Sequence, residues 1–308
     1  MLKDISIIFM SIFFESLPFL LLGSIISSII EVYVSNDFIR KIKFKSKILN
    51  SLLGVFMGFF LPACDCAVIP VSKRLLKKKV PLSTVISFTL SSPIINPVVL
   101  FSTFTAFRNV NMNIFYKRLI IGILISIVIG IIMEHIFKNK DVVIDSEDEC
   151  DCLDTCEIDL GELTKYKKGK SKDKIKNALS HTVIDFCGVV KYLIVGALIA
   201  SVFEVVIPRS VLIFFNSNIV ISVIALMLFA YLLSLCSTSD SFVGKSLLSI
   251  FPEDAIVAYL VLGPMIDIKN TIVLLGCYNK KYTLILILLI FIFTFLFSIG
   301  ASFIWKNI

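Results

Sequence analysis

Residues 20–32 read Leu20-Leu21-Leu22-Gly23-Ser24-Ile25-Ile26-Ser27-Ser28-Ile29-Ile30-Glu31-Val32, and the pattern returns 173 residues later as Leu193-Ile194-Val195-Gly196-Ala197-Leu198-Ile199-Ala200-Ser201-Val202-Phe203-Glu204-Val205. Outward from this pair the register holds within two residues. Cys64 falls on Cys236, Lys73 on Lys245, Pro81 on Pro252, Pro93 on Pro264 and Asn96 on Asp267. Apolar runs match one another by chance. A glycine, a glutamate, a cysteine, a lysine, two prolines and an Asn/Asp pair at matching spacing do not, so the chain reads as one unit duplicated.

Composition says what kind of unit this is. The 308 residues are 57% hydrophobic and 17% charged, with a mean hydropathy of +0.94. Soluble domains run nearer 45–50% apolar and about 25% charged. A soluble enzyme, a disordered chain, a coiled coil and a small disulfide scaffold are all excluded. A membrane-spanning helix needs about 20 mostly apolar residues. Runs at 6–34, 48–66, 81–107, 114–137, 182–207, 217–236, 253–276 and 282–305 qualify, and shorter apolar stretches at 67–76 and 238–251 follow the second and sixth. The layout is ten spans, or six spans plus two re-entrant hairpins. The first run has no small-residue cleavage site and reads as a retained helix.

Segments 35–47, 73–79, 138–181 and 278–281 are rich in lysine and arginine. The positive-inside rule places them in the cytoplasm, with both termini outside. Arg108, Lys117 and Arg118 then lie near an external loop, against the rule. Each half contains an odd number of crossings, so two halves joined by one cytoplasmic linker insert upside-down relative to each other. The expected architecture is an all-α polytopic membrane protein with two inverted repeats and 8–10 transmembrane segments. Residues 1–137 form one repeat, 138–181 a charged linker and 182–308 the other. Transporters on this plan hold solute near the midplane, on interrupted helices at matching positions.

The interruptions are visible. Leu61-Pro62-Ala63-Cys64-Asp65-Cys66-Ala67-Val68-Ile69-Pro70 sets two prolines around a Cys-x-Cys, and its counterpart is Cys236-Ser237-Thr238-Ser239-Asp240-Ser241. Ser91-Ser92-Pro93-Ile94-Ile95-Asn96-Pro97 pairs with Gly263-Pro264-Met265-Ile266-Asp267-Ile268-Lys269-Asn270. Proline removes a backbone donor, and freed carbonyls inside a membrane need protein or a wet cavity beside them. A carboxylate at the centre of a lipid-facing helix costs about 2.5–3.5 kcal/mol on insertion scales. Cys64, Asp65, Cys66, Asn96, Cys236, Ser237, Thr238, Ser239, Asp240, Asp267 and Asn270 are therefore the candidate solute-binding residues. The bland alternatives are interfacial helix tips and structural kinks. Glu15 and Lys191 are candidates for proton or ion coupling, or for a buried ion pair. Glu31, Asp185 and Glu204 also lie in or beside the apolar runs.

The linker carries Cys150, Cys152 and Cys156 in an acidic stretch, followed by a lysine-rich one at 165–176. Three thiols within seven residues suit a soft metal or metalloid better than a disulfide in a reducing compartment. The basic part suits anionic lipid and not nucleic acid. No Walker A sequence, Ser-His-Asp set or zinc-protease helix occurs, and no cofactor is implied. The chain reads as a transporter. An integral-membrane thiol oxidoreductase using Cys64 and Cys66, or an accessory subunit of a larger complex, are the alternatives. A homo-oligomer or a partner subunit fits either.

The four interrupted motifs, in this order, resemble the YraQ-type predicted permeases, which include the ArsP-type organoarsenical efflux permeases. The resemblance covers nearly the whole chain outside the linker. It implies a multi-spanning plasma-membrane permease, in some members exporting trivalent methylated arsenicals. Asp65 between the thiols favours a cationic or metal-like solute.

Overall fold

Apolar runs punctuated by proline and polar residues give helices of two lengths. The computed structural model describes residues 2–33, 44, 46–61, 65–137, 142–143, 171–206 and 218–305. In chain order the helices are α1 Leu2–Tyr33, α2 Lys47–Phe60, α3 Asp65–Lys77, α4 Leu82–Ile95, α5 Pro97–Phe107 and α6 Met112–Ile136 in the first half. The second half runs α7 Ser171–Val206, α8 Ile219–Leu233, α9 Ser237–Leu247, α10 Glu253–Met265, α11 Ile268–Cys277 and α12 Lys280–Trp305. The described halves thus pass through six helices each, in the same sequence of long, short, short, broken pair and long.

Among the described residues, six stretches are long and apolar enough to cross a bilayer: 3–31, 82–107, 112–136, 182–206, 253–277 and 280–301. The second and fifth are the broken pairs α4–α5 and α10–α11. Helix α2, with 14 residues, is only about 21 Å long against a hydrocarbon core of about 30 Å. By length, α2–α3 and α8–α9 are pairs of half-spans. Of the two layouts expected, the described helices match six spans plus two such pairs, and not ten crossings.

Each break has a local cause. Pro97 opens α5, and the residue before a proline is pushed out of helical geometry. Asn96 accordingly takes φ −54°, ψ 131° and caps α5 with its side chain. Ile266 is extended and Asp267 caps α11. Helix α8 stops at Ser234, which adopts the left-handed φ 48°, ψ 39°, a conformation that costs a non-glycine residue free energy.

Helices α4 and α10 form the centre. All of α4 except Thr89, and all of α10 from Ala255 onward, are buried. Helices α2 and α6 pack on α4, and α8 and α12 on α10. Small residues allow close approach in the first half, where Gly58 faces Ser91 and Ser92 and Gly130 faces Ser83 and Ser87. Such small-residue contacts are how membrane helices pack in the absence of a hydrophobic driving force between them. The outer faces of α1, α2, α6, α7 and α12 present Ile7, Phe14, Phe56, Leu124, Leu198 and Leu284 outward, as lipid requires.

Helix α1 lies along α7. Near the C-terminal end of α1, Ser28 bonds Thr182 at 2.8 Å and Ser27 bonds Asp185 at 2.7 Å, so the two helices run antiparallel. At this end Arg74 of α3 donates to both oxygens of Asp185 at 2.9 and 2.8 Å. Arg74 and Lys78 each lie 3.7 Å from Glu31. Glu31 and Asp185 are thus structural acids tying α1, α3 and α7 together. Lys117 explains part of the exception in the orientation pattern. It is buried between Glu253 at 2.9 Å and Asp254 at 3.1 Å, so it is neutralised within the bundle and does not act as a loop charge.

Candidate functional site

Four helices begin inside the bundle, at breaks in otherwise apolar runs: α3 at Asp65, α5 at Pro97, α9 at Ser237 and α11 at Ile268. A helix N-terminus presents unpaired N–H groups and about half a positive charge. Three of these ends meet at one carboxylate. Asp65 is buried at the start of α3. Its Oδ1 accepts from Ser237 Oγ of α9 at 3.0 Å, and its Oδ2 accepts from Asn270 Nδ2 of α11 at 3.2 Å.

Around that hub lies a buried charge triad. Lys269 Nζ is 3.4 Å from Asp267 Oδ2 and 4.0 Å from Asp65 Oδ2, and Lys269 is 4% and Asp267 0% exposed. Removing such charges from water is tolerable only when they are paired and hydrogen-bonded. Here one ammonium serves two carboxylates, with Ser237, Asn270 and a backbone amide adding bonds. Asp267 Oδ1 accepts Asn270 N at 2.6 Å and so caps α11 as well as binding the lysine. Cys66 Sγ points at Asn270 Oδ1, 3.7 Å away. Asn270 thereby uses its amide nitrogen on Asp65 and its amide oxygen on the thiol. Tyr231 of α8 extends the network to Thr271 at 3.1 Å.

Two glycines at matching positions in the sequence, Gly23 and Gly196, set the approach of the site helices. A methyl group at Gly23 of α1 would meet Ala67 O of α3 at 2.5 Å, and one at Gly196 of α7 would meet Lys269 O of α11 at 3.0 Å. The matching stretches 20–32 and 193–205 thus each carry a glycine against the first turn of one of the two helices that build the triad.

The sequence candidates divide. Asp65, Cys66, Ser237, Asp267 and Asn270 come together. Cys236 is half-buried at the start of α9, its thiol 3.4 Å from Thr238 Oγ1. Ser102 of α5 donates to the carbonyl of Thr238 at 2.8 Å. Ser239 is exposed. Asn96 is buried and caps its own helix through Val98 N at 3.0 Å, at the fourth helix start. Asp240 is buried in the first turn of α9 and bonds Tyr259 of α10 at 3.0 Å, away from the triad's hydrogen bonds. Glu15 is exposed on α1. Lys191 lies 5.1 Å over the Tyr192 ring, and among the described residues no ion pair joins Glu15 to it. Cys64 and the linker thiols Cys150, Cys152 and Cys156 lie outside the described residues. Among those described, no three of His, Cys, Asp and Glu converge on a metal-sized position.

Sequence reasoning missed Lys269, although it sits within a quoted motif and is the lone lysine of an apolar run, a signal in its own right. It also missed Arg118, taken as a loop charge. Arg118 is 1% exposed and its Nη1 donates to Thr103 and Ser241 at 2.6 and 2.8 Å.

Comparison with known proteins agrees with this picture. The ArsP_1 family, described as predicted permease, matches residues 1–303. A Streptococcus mutans protein named as a two-component membrane permease complex subunit is 38% identical over 277 residues, covering 90% of this chain and 88% of that one. UPF0718 protein YcgR of Bacillus subtilis is 37% identical over 279 residues, covering 91% and 90%. UPF0718 protein YraQ of Escherichia coli is 27% identical over 79 residues, covering 26% and 23%. No solved structure matches the chain. A chain with six apolar membrane-length stretches among its described residues, matched over nearly all its length by a permease family, belongs to that family: it is an ArsP_1-type predicted permease and a multi-pass protein of the cell membrane.

Proposed function

We propose that the chain is the translocating subunit of a secondary permease that exports a small thiol-reactive solute, a trivalent organoarsenical or another soft metalloid species. The carrying observation is the meeting of Asp65, Cys66 and Asn270 where α3, α9 and α11 begin in mid-bundle. A thiol, a carboxylate and an amide at converging helix N-termini offer a soft ligand and several polar contacts. Cys236 at the start of α9 extends the thiol set, and in sequence Cys64 directly precedes Asp65. Asn96, Thr238 and Ser239 line the neighbouring breaks.

The antiparallel α1–α7 pair supports an inverted arrangement of repeats 1–137 and 182–308, with the lysine-rich ends and the linker 138–181 in the cytoplasm. Rocking of one half against the other would expose the junction to alternate sides. The name of the Streptococcus relative suggests a second subunit, and the linker is a suitable docking element for it.

The test is uptake into everted vesicles of a panel of trivalent methylated arsenicals, arsenite and soft metal ions. We expect one class to be transported, and Cys66→Ser and Asp65→Asn to abolish that transport at unchanged membrane levels. Full activity in a Cys64→Ser/Cys66→Ser double variant would remove the thiol mechanism.

A further inference from the structure

Helix α9 faces two polar clusters with successive turns of its N-terminal half. Ser237 reaches Asp65 at 3.0 Å, while Ser241, one turn on, receives Arg118 Nη1 at 2.8 Å. Between them Asp240 accepts Tyr259 Oη at 3.0 Å through Oδ1. The second cluster is built from four elements: Thr103 of α5, Arg118 of α6, Asp240 and Ser241 of α9, and Tyr259 of α10.

Its hydrogen bonding is half complete. Thr103 and Ser241 hold Nη1 of Arg118, and Thr103 and Ser241 bond each other at 3.0 Å, so the guanidinium is braced. Its Nε and Nη2, the pair of donors that forms a side-on fork for a carboxylate, have no partner among the described residues, and neither does Asp240 Oδ2. Arg118 and Asp240 are 1% and 3% exposed. Each feels the other's charge, yet no contact within 4 Å joins them. A buried ionised group left short of partners costs several kcal/mol. A carboxylate would satisfy the fork, whereas a neutral carboxyl would not need it.

We propose that Asp240 is the proton-binding group of the permease and that Arg118 is its counter-ion. With a proton on Oδ2, Asp240 stays on Tyr259 and Arg118 on Thr103 and Ser241. Loss of that proton to water leaves a carboxylate that pairs with the Nε–Nη2 fork, a buried two-state element of the kind that couples a local charge change to a helix shift. The shift would act on the solute junction through α9, because Ser237 and Asp240 share one turn. Besides Arg118 and Tyr259, the charged groups within electrostatic reach of Asp240 are Asp65 and Asp267. A metal cation is disfavoured by the adjacent guanidinium, while a proton leaves no net positive charge on the carboxyl. The inference rests on the permease reading for its purpose, but its test needs no solute.

That test is infrared difference spectroscopy of the purified full chain in lipid nanodiscs, acid minus alkaline. We expect a protonated-carboxyl C=O band that vanishes in Asp240→Asn and persists in Asp65→Asn. Arg118→Gln should move the band's midpoint by about one pH unit or more, the size of effect a close charge exerts, and Arg118→Lys should restore most of it. Tyr259→Phe, which keeps the ring and removes only the hydroxyl, should alter the band's frequency by removing the donor to Oδ1. A band untouched by Asp240→Asn, Arg118→Gln and Tyr259→Phe, or no titrating carboxyl band at all, would overturn the proposal. A solute panel that fails while these band changes appear would instead count against the solute class alone.

Discussion

Adding a single methyl group at Gly23 should damage the site more than the same change at Gly196. The Cβ of Gly23→Ala would lie 2.5 Å from Ala67 O and 2.7 Å from Ala67 Cα, both backbone atoms of the first turn of α3. Ordinary contact begins near 3.4 Å, so α3 must retreat by about 0.9 Å, and overpacking of this kind costs roughly 1–3 kcal/mol. The same retreat would open the Asp65 bonds, now 3.0 and 3.2 Å, toward ~4 Å, past hydrogen-bonding range. At Gly196 the closest atom, Lys269 O, is 3.0 Å away. The shift needed is only about 0.4 Å, within the low end of the overpacking range. Gly300 has nothing within 4 Å, and alanine there should be neutral or slightly stabilising through helix propensity. Thermal unfolding of the three purified variants should rank Gly23→Ala below Gly196→Ala, with Gly300→Ala at or above wild type. Cys66 alkylation should follow the reverse order, fastest in Gly23→Ala, slower in Gly196→Ala and at the wild-type rate in Gly300→Ala. Equal melting temperatures for Gly23→Ala and Gly300→Ala would refute the seating of α3 on α1.

Three other outcomes follow from the charge pairs. Lys117→Gln strands Glu253 and Asp254 in a partly buried site and should cost roughly 3–5 kcal/mol, as breaking buried pairs does; unfolding would show it, and Glu253→Gln/Asp254→Asn in the same chain should recover most of the loss. Lys269→Met should leave Asp65 and Asp267 without their shared cation and lower thermal stability by a similar ~3–5 kcal/mol, whereas a stable Lys269→Met protein would mean that the triad is not charged as drawn. Arg74→Lys keeps the charge but loses the two-pronged bond to Asp185, so it should melt between wild type and Arg74→Gln.

Much of the fold was legible because the bilayer demands it. Runs of about 20 apolar residues announce helices whatever their tertiary context, and polar residues beside proline or aspartate, as at Asn96–Pro97 and Asp267, mark breaks between them. The matching spacing around Gly23 and Gly196 was legible, but the purpose of the two glycines was not. Which backbone a glycine lies against is a matter of packing and not of local pattern. Asp65, Cys66, Asp267 and Asn270 were legible because polar residues at helix breaks stand out in apolar sequence. Their division of labour was not, since Ser237 and Asp240 lie three residues apart and face different clusters. The basic residues misled most. Lys117 and Arg118 sit near the N-terminal end of α6, where a charge-counting rule reads them as loop residues. Only the packing of α5, α9 and α10 against them shows one paired with two acids and the other braced by two hydroxyls.

The central claim is that solute passes through the junction of Asp65, Cys66 and Asn270. Protection of Cys66 tests it most directly. In everted vesicles carrying the chain with its cysteines intact, alkylation of Cys66 by a membrane-permeant maleimide would be followed by peptide mass spectrometry while the concentration of a transported panel member is raised. The account predicts that alkylation slows with half-protection at the concentration giving half-maximal transport, and that Asn270→Ala weakens both together. Saturating transport with Cys66 alkylated at an unchanged rate would contradict it.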